Sequence, residues 1–142
     1  MMENENLDRF RNAQSDGFDI AVRELERGRK RSHWMWYIFP QIIGLGHSEM
    51  SRQYAITGLQ EARAYLDDPL LGKRLKTLCG ILMDLPETDA QIIFGSPDDL
   101  KLKSCMTLFS SVPDADPIFK AVLHRFFGGA RDPLTVQILS GL

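Results

Sequence analysis

The chain has 142 residues, 44% of them hydrophobic and 25% charged, which suits one globular domain and excludes a disordered or collagen-like polymer. A formal net charge of −2 excludes a chain built as a whole to coat nucleic acid or an anionic membrane, so any such contact must be local. The opening MMENENLDRF is acidic and polar, with no basic segment leading into an apolar run, and the longest apolar run, WMWYIF at 34–39, is far short of the ~20 residues of a spanning helix. A cytoplasmic protein without membrane association is expected.

Helix signals then follow in order. Asn6 precedes Leu7 and Phe10, and Asp16 precedes Phe18, Ala21, Val22 and Leu25, predicting two helices, the second ending near Gly28. GRKRSHWMWYIFPQ at 28–41 comes next. Its aromatic content suits either a helix or a buried strand, and strict alternation would send Trp34 and Trp36 one way and Met35 and Tyr37 the other. In GLGHSEMS at 44–51, Ser48 is placed to cap a helix carrying Met50 and Tyr54. Thr57 with Gln60 reads as a capping box before Leu59, Ala62 and Leu66.

The second half is punctuated by prolines. Asp68-Pro69, Ser96-Pro97, Asp116-Pro117 and Asp132-Pro133 each pair a capping side chain with a residue whose φ already suits a first helical turn. After Pro69 the leucines at 71, 75, 78 and 82 form a stripe that Pro86 stops. Thr88 with Gln91 opens a short AQIIF turn closed by Gly95. Leu102, Met106 and Phe109 face inward from the helix after Ser96, and Phe119, Val122, Leu123 and Phe126 from the helix after Pro117, which Gly128-Gly129 ends. Thr135–Leu139 forms a last short helix. No internal repeat or flexible linker interrupts this grammar, so an all-α, compact single-domain bundle of about eight short helices is expected over residues 1–142.

Chemistry-bearing patterns are few. His33, His47 and His124 stand at no metal-ligand spacing, and no phosphate-binding glycine loop, dinucleotide fingerprint or serine-nucleophile elbow is present, so no metal, cofactor or catalytic residue is assigned. Cys79 and Cys105 sit in apolar helical patterns as buried thiols. In the run Arg27, Arg29, Lys30, Arg31, a helix end favours one or two cations, whereas four repel one another unless carboxylates such as Glu24 and Glu26, or an anionic ligand, answer them. His33 and Trp34 beside them would suit a planar, phosphate-bearing ligand, since guanidinium grips phosphate and aromatic faces stack on bases. Trp34, Trp36, Tyr37 and Phe39 are equally good core material.

Gly44 and Gly46 allow close backbone approach, and Ser48 opens a helix amino terminus. Lys101, Lys103, Ser104 and Thr107 supply polar positions on a helix whose other face is apolar, with Lys103 one turn before Thr107. The candidate ligand-binding set is therefore Arg29, Lys30, Arg31, His33, Trp34, Gly44, Gly46, Ser48 and Lys103, for an anionic small molecule. A protein-interaction module without chemistry is the alternative, and weak nucleic-acid binding stands behind both. Arg131 beside Asp132 reads as a capping ion pair.

RGRKRSHWMWYIFPQIIGLGHSEMS, LDDPLLGKRL and IFGSPDDLKLKSCMTLF resemble the hallmarks of a bacterial family of unknown function whose members sometimes carry the label calpastatin. The resemblance spans nearly the whole chain. It implies a compact, mostly α-helical fold and no established reaction, so it transfers no site residues. The label itself does not suit a short, densely capped chain of this hydrophobic content, because calpastatin is a long disordered inhibitor.

Overall fold

The computed structural model describes residues 2–142, with side chains from Leu7 onward. Among the described residues there are nine helices: α1 Met2–Glu26, α2 Met35–Ile38, α3 Glu49–Gln53, α4 Leu59–Asp67, α5 Leu71–Asp84, α6 Ala90–Phe94, α7 Asp98–Ser110, α8 Ile118–Phe127 and α9 Pro133–Ser140. α5 and α7 lie at the centre: α5 packs on α1, α4 and α8, and α7 on α4, α6, α8 and α9. The sole extended pairing among these residues is an isolated parallel bridge, Ile42 to Ile56, in which Ile43 N–H donates to Ile56 O and Ile56 N–H to Gln41 O, both at 2.8 Å.

The predicted pair of amino-terminal helices is one. α1 runs through both Asn6 and Asp16, and the exposed Ser15 hydroxyl bonds back to Asn12 O within the helix. Leu7, Phe10, Gln14, Ala21 and Leu25 form its buried face. Gly17 is a helix-interior residue at a close crossing, since a Cβ there would lie 2.8 Å from the Tyr37 ring. That approach offsets the roughly 1 kcal/mol a mid-helix glycine costs. Gln14, also buried, donates to Tyr37 O at 2.8 Å and to the Tyr65 hydroxyl oxygen at 3.0 Å, so a carbonyl in the single turn of α2 is satisfied from α1.

Most other caps lie where the sequence puts them. Asp132 Oδ2 accepts from Thr135 N–H at 2.9 Å with Pro133 in the first turn, Ser48 Oγ accepts from Ser51 N–H, and Asp116 Oδ1 accepts from Ile118 N–H. Asp68 Oδ2 takes the amides of Leu70 and Leu71. Gly28 and Gly128 both adopt positive φ at helix ends. Three caps differ. α6 is capped by Asp89 rather than Thr88, and α7 starts at Asp98 without a cap bond from Ser96. Thr57 N–H is taken not by Gln60 but by the buried Glu61, which also pairs with Arg9 of α1 at 3.2 Å. A carboxylate serving an amide and a guanidinium together is a stronger acceptor than a neutral glutamine.

Two aromatic groups organise the interior. Phe10, Tyr65, Phe109 and Phe119 form a chain of ring contacts across α1, α4, α7 and α8, and Trp34, Phe39 and Phe94 form a second cluster beneath α6. Cys79 and Cys105 are free buried thiols whose ionisation burial pushes upward, so neither is a reactive nucleophile. Gly72 marks the tightest crossing: a Cβ there would sit 2.1 Å from Leu66 O, a backbone atom with no way to yield. Gly72→Ala is therefore expected to lose at least about 3 kcal/mol of unfolding free energy in chemical denaturation, through forced separation of α4 and α5.

Candidate functional site

The basic run is resolved by Glu24, in the last turn of α1. Its Oε1 accepts from Arg31 N–H at 2.8 Å, Ser32 N–H at 2.9 Å and Trp34 Nε1–H at 2.9 Å, and its Oε2 from the Ser32 hydroxyl at 2.5 Å. Thus the glutamate that the sequence offers as a partner for the arginines serves backbone amides, a hydroxyl and an indole instead. Partial burial raises its carboxyl, but the Ser32 hydroxyl, the Arg31 and Ser32 amides and the Trp34 indole together outweigh that and hold it down to about 2.

Trp34, fastened in this way, is 1% exposed and packs on Phe39 and Phe94. Lys30 is also internal, at 8% side-chain exposure: its Nζ lies 2.6 Å from Ser32 O, 2.8 Å from Asp98 Oδ2 and 5.1 Å from the Trp34 ring centroid. Arg29, Arg31 and His33 are exposed, and among the described residues none of them forms an ion pair. Lys103 sits elsewhere, its ammonium 5.9 Å from the Phe127 ring on α8. The structure therefore does not bring Arg29, Lys30, Arg31, His33, Trp34 and Lys103 together around one cavity.

Gly44 and Gly46 do border a concavity. The short turn of α2 replaces the alternation considered for 34–37, so Trp36 emerges half-buried while Trp34 points into the core. Trp36, Gln41, Leu45 and Gly46 form one wall of an open cleft of about 200 Å³, and Pro97, Leu100, Lys101, Ser104, Asp132 and Leu134 form the other. A smaller hollow, shared at Trp36, Gln41 and Gly46, continues to Gly44, Ser51 and Tyr54. Gly46 makes this passage possible, because a Cβ would lie 2.8 Å from Ser51 and 3.7 Å from Trp36. Ser48 caps α3 just beyond, an exposed residue on a five-residue helix.

The polar groups of the cleft are held with capacity to spare. Lys101 Nζ lies 4.0 Å from the Trp36 ring centroid and 3.1 Å from Asp98 Oδ1, while Asp98 Oδ2 is already taken by Lys30. Two ammonium groups thus share one carboxylate, which they hold below its ordinary pKa against the opposing effect of burial. Gln41 is 8% exposed, its backbone pinned by the Ile56 bridge, yet its side-chain amide finds no hydrogen-bond partner among the described residues. Ser104 donates to Leu100 O at 3.1 Å and keeps its lone pairs. Asp132 commits Oδ2 to Thr135, and its Oδ1 has no partner among the described residues. Its amide donates to Thr107 Oγ1 at 2.8 Å, docking the start of α9 onto α7. Asp132 makes no ion pair with Arg131, in contrast to the sequence expectation. Sequence reasoning named Lys101 and Ser104 only as polar positions on the helix after Ser96, and Asp132 only as a cap and an acid it could not place, and it missed Gln41 and the identity of Trp36 as the available ring; their gathering from three distant segments leaves no local signal.

The profile of a family described as "Protein of unknown function (DUF1810)" matches residues 4–139. The crystal structure of the conserved hypothetical protein Rv1873 from Mycobacterium tuberculosis is similar at 46% identity and a TM-score of 0.93, covering 95% of this chain and 96% of that one. No curated protein matches. No helix of the described residues is long and apolar enough to cross a membrane.

Glu24 yields a pH prediction with a definite sign. Its folded carboxyl titrates at about 2 and its ordinary value is 4.5, so its stabilisation is fully present above about pH 4.5 and is lost as the pH falls toward 2. Glu24→Gln, which removes one accepting oxygen from four donors, is expected to cost about 1–3 kcal/mol at neutral pH. Denaturation curves of the two proteins should converge between pH 4.5 and 2; a constant gap across that window would contradict this assignment.

Proposed function

We propose that this chain, which belongs to the DUF1810 family of proteins of unknown function, binds a small hydroxyl-bearing anion of the nucleotide or sugar-phosphate class in the Trp36 cleft. The observation that carries the reading is the convergence of Gln41, Lys101 and Asp132 on a ring-walled concavity. The Gln41 amide, which makes no internal hydrogen bond among the described residues and borders the cleft, is free to bond a ligand there.

The chemistry of the ligand follows from the donor set. A bare anion would be drawn to Lys101 and repelled by Asp132; a molecule with both an anionic group and hydroxyl donors answers each. Trp36 adds a flat apolar wall, with one region covered by the Lys101 ammonium. At about 200 Å³ the cleft is smaller than the ~300–1,000 Å³ of drug-sized sites, so it suits one ring and its anionic substituent, the remainder lying in solvent. The cleft set replaces the basic run as the seat of the anionic-ligand reading and keeps Gly44 and Gly46 at its edge.

The rim supports a second reading. Leu100 and Leu134 are 55% and 48% exposed, a surface that would equally receive an apolar side chain of a protein partner. A thermal-shift panel of nucleoside monophosphates and sugar phosphates separates the two. A ligand at a hundred times its Kd adds about 2.7 kcal/mol, roughly 8 °C for a chain of this size. The expected result is such a shift from a phosphate-bearing ligand, diminished for its dephosphorylated analogue and lost in Trp36→Ala and Gln41→Ala. A silent panel, or equal shifts in wild type and variants, would overturn the small-molecule reading and favour the protein partner.

A further inference from the structure

We infer that the protein carries a second, separate binding site, for a phosphate-type oxyanion, in the hollow between α7, α8 and the loop that follows α8. The hollow measures about 370 Å³ and is lined by Ser110, Lys120, Leu123, His124, Gly129 and Arg131, none of which borders the Trp36 cleft. A lysine, an arginine and a histidine line it, and among the described residues no carboxylate does.

What makes this arrangement more than wet surface is the fate of the nearby acids. Asp116 stands one helical turn before Lys120, a spacing at which an ion pair normally forms, but its Oδ1 is held at 2.9 Å by Ile118 N–H at the start of α8. Asp132 adjoins Arg131 in sequence, but its Oδ2 is held by the amide and hydroxyl of Thr135 at 2.9 and 2.6 Å. Both carboxylates are turned to capping duty. Among the described residues, Lys120, His124 and Arg131 therefore form no ion pair, although the chain is net negative. Uncompensated like charges lining one concavity focus a positive potential there.

The exposed histidine lies against the loop that follows α8. Gly129 has φ +84°, and a Cβ on it would lie 2.8 Å from His124 Cε1 and 2.9 Å from Nδ1, so the imidazole rests against a backbone that only glycine supplies. Ser110 turns its hydroxyl hydrogen to Thr107 O at 3.1 Å, which leaves the cations as the donors. Arg131 offers a planar fork and Lys120 a point charge, the pairing that suits a tetrahedral oxyanion. An adjoining hollow, meeting this one at Ser110 and Lys120, is lined by Asp114 and Asp116, so anion affinity is confined to the His124 end.

The test is a titration of the full chain with inorganic phosphate at constant pH and ionic strength, followed by NMR of the histidine ring signals. The His124 signal is the one of three that disappears in His124→Gln. The expected result is a saturating shift of that signal, weakened at least about fivefold in Lys120→Gln and separately in Arg131→Gln, and unchanged in Lys101→Gln, which reports on the cleft instead. Lys120→Gln and Arg131→Gln remove exposed side chains that form no ion pair among the described residues, so the fold is retained, and an unchanged unfolding midpoint checks this for Lys101→Gln, whose ammonium pairs with Asp98. A shift that grows linearly and equals that from chloride, or saturation unaffected by either substitution, would overturn the proposal. Neither outcome bears on the Trp36 cleft.

Discussion

The Glu24 carboxylate is the point from which the functional geometry follows. By gathering two amides, a hydroxyl and an indole from residues 31–34, it decides where the chain turns after α1 and delivers Trp34 into the core. Trp36 is two residues further along a helical turn, rotated by about 200°, so burying one indole presents the other outward. The same turn carries the chain to Gln41 and the Ile42–Ile56 bridge, which fixes the rest of the cleft wall that Trp36 begins. One partly buried acceptor thereby sets both a core and a candidate site.

The cations around it divide into two populations with different physical roles. Lys30 is a structural ion, nearly enclosed and bonded to Asp98, whereas Arg29 and Arg31 remain in water. Enclosing an ammonium is tolerable because Asp98, Ser32 O and the Trp34 face together replace its hydration. Asp98 then spends its second oxygen on Lys101, and that link connects the buried knot to the floor of the cleft. The path from Glu24 through Trp34, Lys30 and Asp98 to Lys101 and Trp36 is a chain of direct contacts.

The all-α architecture was legible in the sequence because capping is local: Asp132 and Thr135, or Ser48 and Ser51, need only three residues to find each other. The same locality misled at Asn6 and Asp16, where capping residues lie inside α1, with the buried stripe and the Gly17–Tyr37 crossing acting together across the expected break. The glycine turn at 44–46 and the availability of one ring beside it were also readable. The identity of that ring was not, since alternation and a helical turn place Trp34 and Trp36 differently. Nor was the role of Glu24: proximity in sequence pairs it with arginines, but folding brings it amide and indole donors, which bind a partly buried carboxylate without requiring guanidinium groups to leave water. Gln41, Lys101 and Asp132 belong to segments that only tertiary packing unites.

The central claim is that Glu24 divides the two tryptophans between core and cleft, and hydrogen exchange of the indole N–H groups reads this directly. Trp34 Nε1–H, bonded to Glu24 and enclosed, should exchange at least about a hundredfold more slowly than Trp36 Nε1–H, which has no acceptor among the described residues. Equal rates for the two indoles, or a protected Trp36 beside a freely exchanging Trp34, would contradict the account.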